Sequence, residues 1–323
     1  MSGRKRMVAL LRTAVCSLLD IKYPIIQGGM AHVGTAELVS AVCNAGGLGI
    51  IGTGHYPPEW VRQQILQTKK LTRRPFGVNI ALTSPYLTQI SDIIIGEKTA
   101  VVSTGAGNPS EFVPGFKQAG IIFMPVVAGV AAACRMEKAG ADIIVAEGME
   151  SGGRIGETTT LALVPQVVDA VKVPVIAAGG IADGRGLAAA LALGAQGIQM
   201  GTRFVCSTEC AAHHGYKQKI VAADDAATMV THRTTGYPQR TLRNKLSEQF
   251  EELEKAGVSK ADLDLFDRDR MYLGLIEGDL EEGALLSGQI AGLIRDIKPV
   301  RDIIEETIAQ AEAVIARLQA AGK

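Results

Sequence analysis

Eight short apolar runs, separated by helical patterns, constrain this chain more than any other feature. They are PIIQGGM (24–30), LGIIGTG (48–54), FGVNIAL (76–82), AVVSTGAG (100–107), IIFMPVV (121–127), DIIVAEG (142–148), VIAAGGI (175–181) and GIQMGTRF (197–204). Each run is continuously apolar rather than alternating, as parallel strands covered on both faces are. Helical stretches lie between them, at 34–45, 58–69, 130–139, 158–171 and 184–193. Several end in a glycine stop just before the next strand: NAGG at 44–47, KAGA at 138–141 and LGAQG at 193–197. Glycine past a helix end supplies the left-handed residue that terminates it. Eight such units predict an α/β fold, a (β/α)8 TIM barrel over residues 21–204. A doubly wound open sheet is the rival, but GGMAHVGTAE follows the first strand where that fold would carry a GxGxxG turn.

After residue 204 the rhythm stops. Residues 208–280 are more polar and carry helical pieces such as TLRNKLSEQFEELEKAG at 241–257. The reading is an inserted, mainly helical subdomain, with GALLSGQIAGLI at 283–294 as the delayed eighth barrel helix. Residues 1–207 and 281–323 then make the barrel with its terminal helices, the last of them amphipathic.

Lys plus Arg number 33 and Asp plus Glu 33, and aromatics are 4% of the chain. A zero net charge with few stacking rings argues against a nucleic-acid binder. Cys16, Cys43, Cys134, Cys206 and Cys210 are odd in number and form no CxxC. No disulfide framework or zinc site is expected, and a cytoplasmic location follows from that cysteine usage. No apolar run reaches the ~18 residues of a membrane span. At the N-terminus Arg12 interrupts the apolar stretch, while Leu10, Leu11, Val15, Leu18 and Leu19 recur at helical spacing. An amphipathic helix is expected there rather than a signal segment.

In a barrel, chemistry sits where strands end and βα loops begin. Seven of the eight runs carry Gly or Asn there: Gly28-Gly29, Gly52, Asn79, Gly105, Gly148, Gly179-Gly180 and Gly201. Any one of these serves a tight turn, whereas the whole ring points to a flat bound cofactor. AAGGIADGRG at 177–186 and QMGTRF at 199–204 follow the seventh and eighth strands. Barrels commonly bind phosphate there, with Gly-rich loops and a helix N-terminus.

IKYPIIQGGMA, AGGLGIIGTG, PFGVNI, TGAGNP, AEGMESGGRIG, PVIAAGGIADGRG, MGTRF and SGQIAGL occur in that order between about residues 8 and 310. In them the chain resembles flavin-dependent enoyl-acyl-carrier-protein reductases of the type II class and the related nitronate monooxygenases. The resemblance implies FMN at the C-terminal mouth of the barrel. It places backbone at Gly29, Met30 and Ala31 against the isoalloxazine ring, Asn79 on its polar edge and Glu147 near the ring or ribityl chain. Gly179, Gly180, Gln199, Gly201 and Thr202 would hold the phosphate end. It also implies NADH or NADPH as co-substrate and admits a monovalent cation, for which no residue marks a site.

One departure separates the reactions. The family's GGH reads Ser151-Gly152-Gly153-Arg154 here. Arginine stays charged and cannot shuttle a proton. Arg154 is expected to bind a carbonyl oxygen or enolate electrostatically, against the plainer reading of an exposed loop arginine. Removal of an α-proton from a neutral nitroalkane needs a base, which Arg154 is not; a nitronate is already an anion. The PFGVNI and AEGMESGG stretches look closer to the reductases, so the leading reading is an FMN-dependent enoyl-thioester reductase passing hydride from NAD(P)H to a trans-2-enoyl thioester, on a carrier protein or as a small molecule, in fatty acid synthesis. Arg154 weakens that reaction without excluding it, since water or another residue can protonate the α-carbon. The alternative is an FMN-dependent nitronate monooxygenase using O2. A flavin-binding barrel without catalysis is the third. His32, in the first loop, is the residue placed to act as a compensating acid, or else as a polar wall. A basic stretch at Tyr237-Pro238 and Arg240-Thr241-Leu242-Arg243 either lines the thioester entrance or is a solvated face. A homodimer is the expected assembly on general grounds.

Overall fold

The computed structural model describes residues 11–105 and 107–321. The apolar runs form β1 (Ile25–Ala31), β2 (Leu48–Gly52), β3 (Gly77–Ala81), β4 (Val101–Gly105), β5 (Ile122–Val127) and β6 (Ile144–Glu147). After a two-residue strand outside the barrel, β7 (Gly153–Arg154), come β8 (Val175–Ala178) and β9 (Ile198–Met200). The eight long strands pair in parallel in the order β1-β2-β3-β4-β5-β6-β8-β9, and β9 returns to β1 with Ile26 opposite Gln199. The chain is a closed TIM barrel.

Most of the strands feed two apolar layers. Ile26, Ile50, Met124, Val145 and Ile176 share an interior cluster, while Ile25, Ile51, Val78, Val102, Phe123 and Ile198 face the helices. This period-2 split of continuously apolar strands is why the runs read as unbroken hydrophobic sequence. The interior cluster also takes Val15, Cys16 and Leu19, from a short helix Ala14–Leu18 and its end. Among the described residues, the expected amphipathic helix is a single turn whose apolar side joins the barrel interior. Leu18 of the expected stripe is exposed instead, and Leu10 lies outside the described residues.

The eighth helix is not where the glycine-rich stretch placed it. Residues 284–288 have no regular secondary structure and only a 3₁₀ turn, Gln289–Leu293, follows. A side chain at Gly288 would stand 2.7 Å from the Glu150 carbonyl oxygen and one at Gly292 2.8 Å from that of Asp224. These glycines serve close backbone packing, not a helix. The helix Val300–Ala321, read from sequence as a tail, packs against helices Gly184–Ala192 and Ala36–Asn44 and completes the ring. It buries Ile303, Ile304, Thr307, Ile308 and Ala311 along one face.

The segment between β9 and that helix is mainly helical, as expected, with a small sheet beside the helices. It carries β10 (Thr228–Thr231) and β11 (Gln239–Leu242), antiparallel to each other, and β11 pairs with β7 of the barrel, Gln239 opposite Arg154. Residues 241 and 242, read as helix, are strand; the helix begins at Lys245 behind a reciprocal Asn244–Ser247 cap. Arg240, expected at an entrance or a solvated face, is buried. Its guanidinium donates to the Met149 carbonyl at 3.1 and 3.2 Å and to Thr228 Oγ1 at 3.2 Å. Arg240 therefore fastens this segment to the loop after β6. Among the described residues no helix is long and apolar enough to cross a membrane, and no group of three or more His, Cys, Asp or Glu is placed to hold a metal.

Candidate active site

The C-terminal end of β1 is irregular for a reason visible in Gln27. The β1–β2 register slips between Gln27 and Met30, which face Gly49 and Ile51. Gln27 is wholly buried, and its amide donates to the Ile50 carbonyl at 3.2 Å and accepts from the Ile50 N–H at 3.1 Å. The side chain thus replaces a rung of the ladder and lets Gly28-Gly29 bulge out. Bulges of this kind re-aim backbone beside active sites. Gly29 is exposed at the mouth, with Met30 and Ala31 half-buried beside it. A β-carbon on Gly29 would stand 2.2 Å from Asn79 Cβ, so only glycine fits over Asn79. Asn79 is itself half-buried on β3, its amide donating to Ser103 Oγ at 3.4 Å.

The expected phosphate end comes together around two turns. Gly179 and Gly180 have φ of +84° and +71°, which glycine adopts without strain. Neither they nor Gly201 and Thr202 donate a backbone N–H to a protein acceptor among the described residues. The helix N-terminus does not join them. Asp183 accepts from the Arg185 N–H, and Gln310 accepts from the Gly184 N–H, each at 2.9 Å. Helix Thr160–Ala170 is also taken: Glu150 accepts from Thr160 N at 2.9 and 3.0 Å and from its hydroxyl at 2.9 Å. The Thr202 hydroxyl accepts from the Gly288 N–H at 2.9 Å, which ties the returning segment to the rim. Gln199 lies against Gly28 rather than among these turns, and its Oε1, like Ser151 Oγ, is buried without a partner. Free N–H groups and unpartnered buried polar atoms around a glycine-lined mouth fit a flat phosphorylated ligand such as FMN.

Glu147 ends β6 half-buried. Burial pushes its carboxyl up to about 7, and the nearby Ser151 hydroxyl opposes that. An unfolded glutamate titrates near 4.5. Between those values the folded protein holds more protons than the unfolded chain, so stability falls as pH rises through the window. Apoprotein is expected to lose up to about 3 kcal/mol of unfolding free energy from this group between pH 4 and 8. Glu147→Gln should flatten that part of the profile in urea titrations; an unchanged slope would show that Glu147 is ordinary.

Arg154 sits in β7 with an exposed side chain. Its guanidinium lies 4.8 Å from the centre of the Tyr237 ring, which Lys260 also approaches at 4.4 Å. It forms no ion pair among the described residues. His32 follows β1 directly, half-buried, with Nδ1 2.8 Å from Tyr56 Oη. Tyr56 in turn stacks on Trp60, ring centres 4.0 Å apart. Tyr56 was not singled out from sequence. The signal was the cluster HYPPEW in a chain with 4% aromatics. His213 caps helix His214–Val221, and buried His232 stacks on Phe250 with Nε2 3.4 Å from Asp267; both belong to the inserted segment's own packing.

Comparison with known proteins decides the family. The nitronate monooxygenase family model matches residues 12–93 and 83–310. The chain belongs to the nitronate monooxygenase family. FabK from Thermotoga maritima is 46% identical over 96% of this chain and 99% of its own, with a TM-score of 0.94. A Rhodococcus jostii protein named (3aS,4S,5R,7aS)-5-hydroxy-7a-methyl-1-oxo-octahydro-1H-indene-4-carboxyl-CoA dehydrogenase is 34% identical, covering 98% of this chain and 99% of that one. A probable nitronate monooxygenase of Staphylococcus saprophyticus is 36% identical over 76% of this chain and 82% of its own. As a member of this family the protein is an FMN-dependent oxidoreductase.

Proposed function

We propose that this family member is an enoyl-thioester reductase, taking hydride from NADH or NADPH and delivering it to a trans-2-enoyl thioester on a carrier protein or on coenzyme A. The observation that carries the reading is the near-complete likeness to FabK, an enoyl-acyl-carrier-protein reductase II. A relative named for a CoA thioester supports the same substrate class. Bound FMN would supply the two-electron chemistry between the pyridine nucleotide and the enoyl group. The glycine mouth at Gly29, Met30 and Ala31 would admit its ring, Asn79 and Gln199 would meet its polar edge, and the Gly179-Gly180 and Gly201-Thr202 amides would take its phosphate. Arg154 would face the thioester oxygen, where negative charge grows as hydride adds to the β-carbon. Five free cysteines support a reducing, cytoplasmic setting.

A second reading, nitronate oxidation with O2, is favoured by the family model and by the staphylococcal relative. A cation at position 154 suits an anionic nitronate, and no base is needed for one. Anaerobic stopped-flow separates the two. NADH or NADPH should bleach the flavin, and crotonyl-CoA should restore its colour. Denatured holoprotein should release FMN and no FAD. Oxygen uptake with propionate 3-nitronate, without any reoxidation by crotonyl-CoA, would move the assignment to the second reading.

A further inference from the structure

We propose that His32 and Tyr56 form the proton-delivery pair of this enzyme, His32 Nε2 giving the proton to the substrate α-carbon and Tyr56 keeping the ring neutral by protonating Nδ1 from behind. The proposal rests on the reductase reading above. Arg154, exposed on β7, stays charged and cannot give up a proton, so reduction needs its donor elsewhere at the rim.

The backbone aims His32 at some cost. Its φ is +67°, in the left-handed region, and the Val33 N–H bonds back to the Ala31 carbonyl at 2.9 Å across it. Such a three-residue turn at a side-chain-bearing residue is rare and strained. Strain of this kind persists where the surroundings fix it, and here they are aromatic. Tyr56 holds Nδ1 from the β2 loop, and Tyr272 of the inserted segment meets the ring edge-on, centres 5.6 Å apart. Tyr272 is 42% exposed and leads into a π-helical turn, Leu273–Glu277, an irregularity frequent at functional sites.

The pairing sets the tautomer. Burial holds the Tyr56 phenol above its usual range, so it is a donor at neutral pH. Burial, with His55 second, lowers the His32 pKa, against Asp269, so the ring is neutral there. The titratable groups facing it are His55 and Tyr56 from the β2 loop and Asp269 and Tyr272 from the inserted segment. A phenol donating to Nδ1 leaves the ring proton on Nε2, which has no partner among the described residues. As hydride addition at the β-carbon leaves an enolate, its electron pair takes the Nε2 proton to make the α C–H bond. The Tyr56 O–H bond breaks as Nδ1–H forms, which keeps the ring neutral; Nε2 then takes a proton from water as Nδ1 returns its own to the phenolate.

Reduction of crotonyl-CoA in D2O tests this. The native holoenzyme should place deuterium at the α-carbon as one epimer. His32→Gln should lower the rate about 10²-fold or more and give both epimers, because bulk solvent then protonates from either side. Tyr56→Phe should lower the rate less and keep one epimer. In the apoprotein, ¹⁵N NMR should find His32 protonated on Nε2, and His32→Gly should raise the melting temperature by relieving the turn. A His32→Gln enzyme with native rate and a single epimer would overturn the proposal. A native enzyme that leaves crotonyl-CoA unreduced would instead overturn the reductase reading on which it rests.

Discussion

Gly29→Ala is expected to yield protein that no longer retains stoichiometric FMN. An alanine methyl there would stand 2.2 Å from Asn79 Cβ, where no side-chain rotation relieves the clash because both atoms are fixed to backbone. Either β1 or β3 must move, and both run through the closed barrel. Overpacking of this kind typically costs about 1–3 kcal/mol in stability. The larger effect falls on the ligand, since the Gln27 bulge that presents Gly28-Gly29 would be displaced, and flavin affinity should drop by about 10²-fold or more, ~3 kcal/mol. Isothermal titration of apoprotein with FMN gives the number. Asn79→Gly in the same chain removes the opposing β-carbon and should recover part of the loss. An alanine variant that purifies yellow with native affinity would show that the bulge does not border the cofactor.

Arg154→Ala is expected to slow reoxidation of the reduced enzyme by an enoyl thioester by about 10²–10³-fold, or ~3–4 kcal/mol, the usual loss when one donor to a developing oxyanion is removed. Reduction by NAD(P)H should change far less, since it creates no enolate. The geometry allows this role, because the guanidinium is exposed, without an ion pair among the described residues, and steadied only by the Tyr237 ring. Arg154→His should restore an imidazole and bring a pH dependence near ~6.5 that the native enzyme lacks at this position. Stopped-flow traces of the two half-reactions, read separately, decide it. If Arg154→Ala leaves both untouched, the arginine is a surface residue held by Tyr237.

Much of the scaffold is written locally. β1 to β6, β8 and β9 are apolar without interruption because each is covered on both faces, and that pattern needs no tertiary information to read. The glycine stops before strands, and the glycines that end them, are likewise set by backbone φ and by close approach. Gly29, Gly179 and Gly180 were legible for that reason. Glu147 was legible as the last residue of a strand, but its raised pKa was not, because burial depends on neighbours far away in sequence.

What sequence could not supply is pairing at a distance. GALLSGQIAGLI reads as helix by composition. Gly288 and Gly292 are there because the Glu150 and Asp224 carbonyls approach them, and only the assembled fold brings those groups near. The same holds for β7, two residues long, which is a strand solely because Gln239 and Arg240 come to lie beside it. Asp183 and Gln310 fill the helix N-terminus that looked open to a phosphate, since which acceptor reaches an N–H first is a question of three-dimensional distance. His32 shows both halves. Its place after β1 was plain from the sequence, while its left-handed turn, its bond to Tyr56 and the Tyr272 edge arise from three segments meeting at one rim. Periodicity and φ preference act over a few residues and fix the barrel; contact between remote segments fixes which side chains at its mouth are free to act.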